Sequence, residues 1–245
     1  MLVDDRLRLW IDLADTVVSM GCLAGNYEPQ ETRFVLQTLA PGDVFVDIGA
    51  NLGWFTILAA DRVGSAGQVH AFEPGSLTRG LLQRSVDDNG FGDRVQIHSV
   101  ALGMRRDRGT CCRTLPPVVT EGYMAPAGDA GSAGFAGQDV DVRPLDALAI
   151  DRRVKLIKMD VEGSEPLVLR GAQNLIARDR PLILAEVYDE LLRLVSGTDA
   201  AGFRRQVRDM GYRIHAIRDG AVGEVVTDDA VIGIDRPANV ILVPA

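Results

Sequence analysis

Residues 43–60 read DVFVDIGANLGWFTILAA. An apolar run, Val44–Ile48, breaks into a glycine-spaced turn and resumes as an apolar pattern over 52–62. Run, turn and helix in that order describe a buried strand feeding the first helix of a parallel α/β sheet. Turns of this kind commonly hold a nucleotide-like ligand at a helix N-terminus. The chemistry of this turn narrows which ligand.

The turn runs Asp47-Ile48-Gly49-Ala50-Asn51-Leu52-Gly53. Its spacing is G-x-N-x-G, where a dinucleotide fold would show G-x-G-x-x-G. Asn51 tolerates the left-handed conformation that glycine would otherwise supply. Asp47 closes the strand, where a carboxylate would repel a diphosphate and attract an ammonium or sulfonium. Gly49 and Gly53 are expected to let backbone approach the ligand. S-adenosylmethionine carries both positive groups, and it is the cofactor this turn suits. Farther on, "QVHAFEP" is a second strand closed by Glu73 and Pro74. An acid at that point accepts hydrogen bonds from ribose hydroxyls, a feature shared with NAD-binding folds. "DRVQIHSVAL" is a third strand whose tip, Ser99-Val100-Ala101, is expected beside the adenine.

The alternation continues along the chain. A helix over 76–88 stops at Asn89-Gly90, a good C-terminal cap. "VKLIKMD" and "RPLILAEVY" are strands with a helix over 165–178 between them. A helix near 200–210 leads to the strands "YRIHAIRDG" and "ANVILVPA". Apolar spacing from Leu2 to Val17 predicts an N-terminal helix, and a second is predicted over 29–39. Residues 1–40 are thus expected as a helical extension or cap, and 41–245 as the main domain. The rhythm is interrupted at about 103–143. There "RGTCCRTL" and "QDVDVRP" read as paired strands around a Pro-, Gly- and Ala-rich loop at 114–137, a candidate lid.

Bulk properties exclude several classes. Asp and Glu number 34 against 26 Lys and Arg, for a net charge of −8. That acidity disfavours a duplex nucleic-acid partner, which needs a basic face. No apolar run is long enough to span a membrane, and the acidic N-terminus does not resemble a signal peptide. Cys22, Cys111 and Cys112 form neither a disulfide framework nor a zinc pattern. They read as reduced thiols of a cytoplasmic protein. His70, His98 and His215 fall inside strand patterns and are expected to be structural. Aromatic residues Trp10, Tyr123 and Phe135 are candidates for a substrate pocket.

Taken together, the ordered motifs resemble the FkbM family of S-adenosylmethionine-dependent methyltransferases. They are "YEPQETRFVLQTLAPGDVFVDIGANLGWFT", "VHAFEP", "VALG", "RPLDAL", "KLIKMDVEGSEPLVLRGAQNLI" and "RPLILAEV". The resemblance covers about residues 26–190. It implies a class I methyltransferase (Rossmann-like) α/β fold with a seven-stranded sheet whose last strand runs antiparallel. It implies O-methylation of a small-molecule hydroxyl, commonly on a natural product or sugar. Carried over by position, it implies cofactor contacts from Tyr27, Glu28, Asp47, Gly49, Asn51, Gly53 and Glu73. Many members carry a histidine two residues after the glutamate of "AEV"; here Tyr188 stands there.

"IKMDVEG" sits where the fourth strand meets the cofactor crevice. Asp160 is the candidate catalytic base and a cofactor neighbour. A carboxylate with an ordinary pKa of about 3.9 is a weak base for an alcohol, so it would take the proton late in attack. Glu162, Glu186 and Tyr188 are candidate substrate contacts. Asp160, Glu162 and Glu186 could together supply oxygen ligands to Mg²⁺. Carboxylates at strand ends are common without one, so no metal is expected. Ser164 is the expected helix N-cap. An NAD-dependent oxidoreductase and a non-catalytic cofactor-binding module are the competing functions.

Overall fold

The computed structural model describes all residues except 4, 115–122, 127–134, 228–232 and 234–235. The chain opens with strands β1 (Leu2–Val3) and β2 (Leu7–Arg8), which form an antiparallel pair. Helices α1 (Val18–Leu23) and α2 (Pro29–Thr38) follow. The expected helix from residue 2 is therefore corrected to a hairpin and a short later helix. Leu7 and Leu9 are buried while Arg8 between them is exposed, which is a two-residue period. Leu13 and Val17 face solvent. The carboxylate of Asp15 accepts the backbone N–H of Val17, Val18 and Ser19, which starts the helix only there.

Strand and helix then alternate: β3 (Val44–Ile48), α3 (Trp54–Val63), β4 (Gln68–Phe72), α4 (Ser76–Asp88) and β5 (Val95–His98). An excursion supplies β6 (Ala101–Leu102), β7 (Asp107–Thr114), β8 (Tyr123–Pro126) and β9 (Phe135–Arg143). The alternation resumes with β10 (Val154–Met159), α5 (Glu165–Arg170), α6 (Gln173–Asp179) and β11 (Leu182–Val187). Helix α7 (Asp189–Leu191) runs into a π-helical segment, Leu192–Ser196. After α8 (Ala200–Asp209) come β12 (Tyr212–Arg218), β13 (Ala221–Val225) and β14 (Ala238–Pro244).

The main sheet has eight strands in the order β13-β12-β14-β11-β10-β3-β4-β5. The five strands from β11 to β5 are mutually parallel, and β14 inserts antiparallel between β11 and β12. The seven expected strands are present, and β13 is added at the edge as a hairpin on β12. The pleat divides the core. Phe45, Leu156 and Leu184 join the residues of α2, α3 and α4 on one face. Val44, Val46, Ile48, Ile157 and Met159 join those of α5, α6 and α8 on the other. Leu7 and Leu9 belong to the first of these clusters, so the N-terminal segment packs into the main core. No helix among the described residues is long and apolar enough to cross a membrane.

Three local departures have physical causes. The third strand breaks after His98, because Ala101–Leu102 pairs with β9 in a separate four-stranded sheet. The paired strands expected in the excursion are β7 and β9, and β8 adds to β7 within the stretch expected as loop. The rest of that candidate lid, at 115–122 and 127–134, lies outside the described residues. The helix expected over 165–178 divides at Gly171, where a Cβ would collide with the carbonyl of Gly103.

Candidate active site

The site begins with a cross-strand pair. Register places Asp47 of β3 beside Lys158 of β10, on the sheet face that α3 covers. Asp47 is wholly buried, and Thr56 of α3 donates to its Oδ2 at 2.6 Å. Burial pushes the Asp47 carboxyl above the usual range, against the pull of Lys158 and the Thr56 hydroxyl. Lys158 is buried too. Its Nζ donates to Asp160 Oδ2 at 3.0 Å and lies 4.9 Å from the centre of the Phe55 ring. One ammonium thus stands between the buried Asp47 carboxyl and the half-buried Asp160. Each of these keeps an oxygen, Oδ1, with no hydrogen-bond partner among the described residues. Two carboxyl groups with unpartnered oxygens beside one ammonium are chemically better suited to a cationic ligand than to a diphosphate. Because Asp47 is sealed under Thr56, its influence on a ligand runs through charge.

The turn after β3 is held by backbone. The N–H groups of Gly49 and Ala50 both donate to Phe72 O, and Asp160 N donates to Ile48 O. Gly49, Asn51 and Gly53 all take positive φ, at 79°, 51° and 101°. A Cβ on Gly49 would collide with the carbonyl of Asp160, and one on Gly53 with the Leu82 side chain. At Gly49 the fixed carbonyl in the Cβ direction already excludes any side chain, and at Gly53 the positive φ favours glycine.

Glu73 follows the end of β4 and is nearly buried. Its Oε2 accepts Asn51 N at 2.8 Å; its Oε1 accepts Gly75 N at 2.7 Å and Thr78 Oγ1 at 3.0 Å. It therefore ties the glycine turn to the start of α4. Burial raises the carboxyl above its ordinary range despite these donors. A carboxylate has about four acceptor positions, so one remains for a ribose hydroxyl. Pro74 O accepts Arg79 Nη1. Ser99 is exposed, Val100 half-buried and Ala101 buried, at the gap between β5 and β6.

At the ends of β10 and β11 the structure gathers Asp160, Glu162 and Glu186. One carboxylate oxygen from each lies within 4.8 Å of the others, in a half-buried cluster that could hold a cation. Tyr188 is half-buried, and its hydroxyl donates outward to Glu190 at 2.7 Å. Tyr27 packs edge-on to Trp54, with ring centres 6.2 Å apart, and its carbonyl accepts Thr32 Oγ1. Glu28 takes a left-handed φ of 42° at the start of α2. Trp10 lies against α4, where Nε1 donates to Asp88 and Arg84 covers the ring. That surface seat accounts for its side chain without a pocket. The side chains of Tyr123 and Phe135 lie outside the described set.

Two residues matter beyond those the motifs single out. Lys158 reads in sequence only as a polar residue near a strand end; its register with Asp47 makes it the central cation. Glu165 reads as first-turn helix decoration, yet it is 1% exposed and bonds back to the loop before it. Ser164 stands at the N-cap position, but its side chain makes no capping bond. Of the histidines, His70 and His98 stack on each other at 5.6 Å, and His215 bonds Gly223 O.

The family model described as "Methyltransferase FkbM domain" matches residues 47–214, from the Asp47 turn to β12. The chain belongs to the FkbM methyltransferase family. As a member it is an S-adenosylmethionine-dependent methyltransferase. It is 31% identical over 201 residues to 31-O-demethyl-FK506 methyltransferase FkbM of Streptomyces tacrolimicus, covering 77% of this chain and 71% of the relative. It is 28% identical over 153 residues to Methyltransferase 1 of Beauveria bassiana, covering 55% and 60%. Among solved structures, a methyltransferase FkbM from Methylobacillus flagellatus superposes with a TM-score of 0.52 at 20% identity. That match takes in 97% of this chain and 56% of the other, so this chain spans little over half its length. The FkbM chain described here shares that fold.

Proposed function

We propose that this FkbM-family enzyme transfers the methyl group of S-adenosylmethionine to a hydroxyl of a small molecule, of the natural-product or sugar class. The observation that carries this reading is the Lys158–Asp160 pair at the end of the fourth strand, with Asp160 Oδ1 left without a hydrogen-bond partner among the described residues. The Streptomyces relative, whose name describes an O-demethylated acceptor, supports oxygen as the nucleophile.

Bound S-adenosylmethionine supplies an electrophilic methyl on a positive sulfur. The chain's residues do the rest. Glu73, through Asn51 and Gly75, fixes the turn against which the cofactor rests, and its remaining acceptor position takes a ribose hydroxyl. Tyr27 and Glu28, at the entry to α2, close the same end. Ser99, Val100 and Ala101 flank the adenine. Asp47 and Asp160 make the crevice favourable to positive charge. Asp160 Oδ1 accepts the acceptor's proton, while Lys158 holds the other oxygen and fixes the carboxylate's orientation. Glu162 and Glu186 orient acceptor hydroxyls beside it. A dry pocket favours this step, because the charges of donor and nucleophile cancel as the bond forms.

The test is calorimetric titration with S-adenosylhomocysteine and with NAD, followed by mass-detected methyl transfer to a panel of hydroxylated macrolides and sugars. Binding of the first ligand alone, with methylation of a hydroxyl, supports the reading. Binding without turnover across the panel favours a non-catalytic module. NAD binding overturns it.

A further inference from the structure

Glu165 opens α5 and is buried, and it faces the loop of Asp160–Gly163. Its Oε1 accepts the N–H of Val161 at 3.1 Å and the N–H of Gly163 at 3.4 Å. Those two amides flank Glu162. Glu162 takes φ 51°, a left-handed conformation that an ordinary side chain disfavours. Gly163 follows at φ 92°, and a Cβ there would collide with the carbonyl of Leu191. Leu191 closes the loop from one side and the Glu165 carboxylate gathers its amides from the other. Held this way, Glu162 presents its carboxylate within 4.8 Å of those of Asp160 and Glu186.

We propose that Glu165 is a positioning residue for acceptor binding: by accepting the Val161 and Gly163 amides it holds Glu162 at the mouth of the crevice beside Asp160. This rests on the reading that the acceptor binds over Asp160, Glu162 and Glu186. Glu165 touches neither acceptor nor cofactor and acts through the loop. Gln keeps the accepting oxygen at this position, whereas Leu fills the volume without one. The two variants therefore separate hydrogen bonding from packing.

Two measurements test it on the full chain. Amide hydrogen exchange at Val161 and Gly163 should quicken about tenfold or more in Glu165→Leu and stay within about twofold of wild type in Glu165→Gln. With the acceptor returned by the panel above, Glu165→Leu should raise KM about tenfold with kcat nearly unchanged, and Glu165→Gln should restore it. The affinity for S-adenosylhomocysteine should not move. In combination with Glu162→Ala, Glu165→Leu should add little, because both remove the same contact. Unchanged amide protection in Glu165→Leu overturns the proposal, and so do defects that multiply in the double variant. Should wild type methylate no acceptor, the functional reading fails, and exchange by itself decides whether Glu165 holds the loop.

Discussion

Lys158 Nζ lies 3.0 Å from Asp160 Oδ2, and the side chains are 6% and 9% exposed. The pair joins the end of β10 to the loop that follows it. A buried ion pair of this kind is weak evidence for stability, since desolvation offsets much of the attraction. On the proposed reading its value lies in orientation, because Lys158 anchors one carboxylate oxygen while the other has no hydrogen-bond partner among the described residues. Asp160→Asn keeps the shape and removes the proton acceptor. Turnover should fall by about a hundredfold or more, with S-adenosylhomocysteine affinity changed only a few-fold. Steady-state kinetics beside calorimetry checks this, and a wild-type rate would remove Asp160 as the base.

Glu73 holds three donors, from the glycine turn, the loop after β4 and the first turn of α4. Glu73→Ala orphans all three and should cost about 2–3 kcal/mol of stability. Cofactor affinity should fall about tenfold or more as well, since the turn loses its tie to α4. An unaltered dissociation constant for S-adenosylhomocysteine would show that the ribose is held elsewhere.

Gly49→Ala places a methyl group against the Asp160 carbonyl at a φ of 79°. Overpacking and left-handed strain together should cost about 3 kcal/mol. Gly90 is the control. Its φ is 67° with nothing within 4 Å of an added Cβ, so Gly90→Ala should cost only about 1 kcal/mol. Denaturant unfolding of both variants measures the difference. Equal losses would mean that the contact with β10 is not what requires Gly49.

Burial pushes the Glu165 carboxyl from 4.5 up to about 7. A raised acid binds its proton more tightly when folded. Its contribution is therefore full below about pH 4.5 and is lost as pH rises towards about 7. Glu165→Gln carries no titrating proton. Its stability relative to wild type should therefore grow between pH 5 and pH 8, by roughly 3 kcal/mol at most. Thermal melts across that range check the sign; parallel profiles would contradict the burial effect.

Cys22 is fully buried, and burial, with Asp15 and Glu28 nearby, pushes its thiol up to about 12. Almost no thiolate exists at pH 8, so the thiol should resist alkylation in the native protein and react only on unfolding. Peptide-level mass spectrometry after iodoacetamide treatment measures this at Cys22 by itself. Rapid labelling would show that the α1 region opens readily.

Much of the fold was legible because its signals are local. Apolar runs, Gly-spaced turns and Asn89-Gly90 each specify backbone within a few residues. The candidate cofactor motif was legible for the same reason, since Asp47 to Gly53 is contiguous and Glu73 follows one strand later. The N-terminal hairpin was not. Leu2, Leu7, Leu9, Leu13 and Val17 mimic a helical stripe, and only contact with the core selects Leu7 and Leu9 as the buried pair. The split at Gly171 was hidden as well, since Gly103 is far off in sequence.

The sequence by itself determined the α/β alternation, the methyltransferase family and the acids at the strand ends, because strand period, turn chemistry and motif order are written in neighbouring residues. Tertiary structure alone decided how those acids are arranged. Register set Lys158 beside Asp47, burial left an oxygen of Asp160 without a partner, and Glu165 turned back to bend the loop at Glu162. Charge and hydrogen-bond balance among buried side chains depend on which strands lie side by side, and that adjacency is a property of the folded sheet.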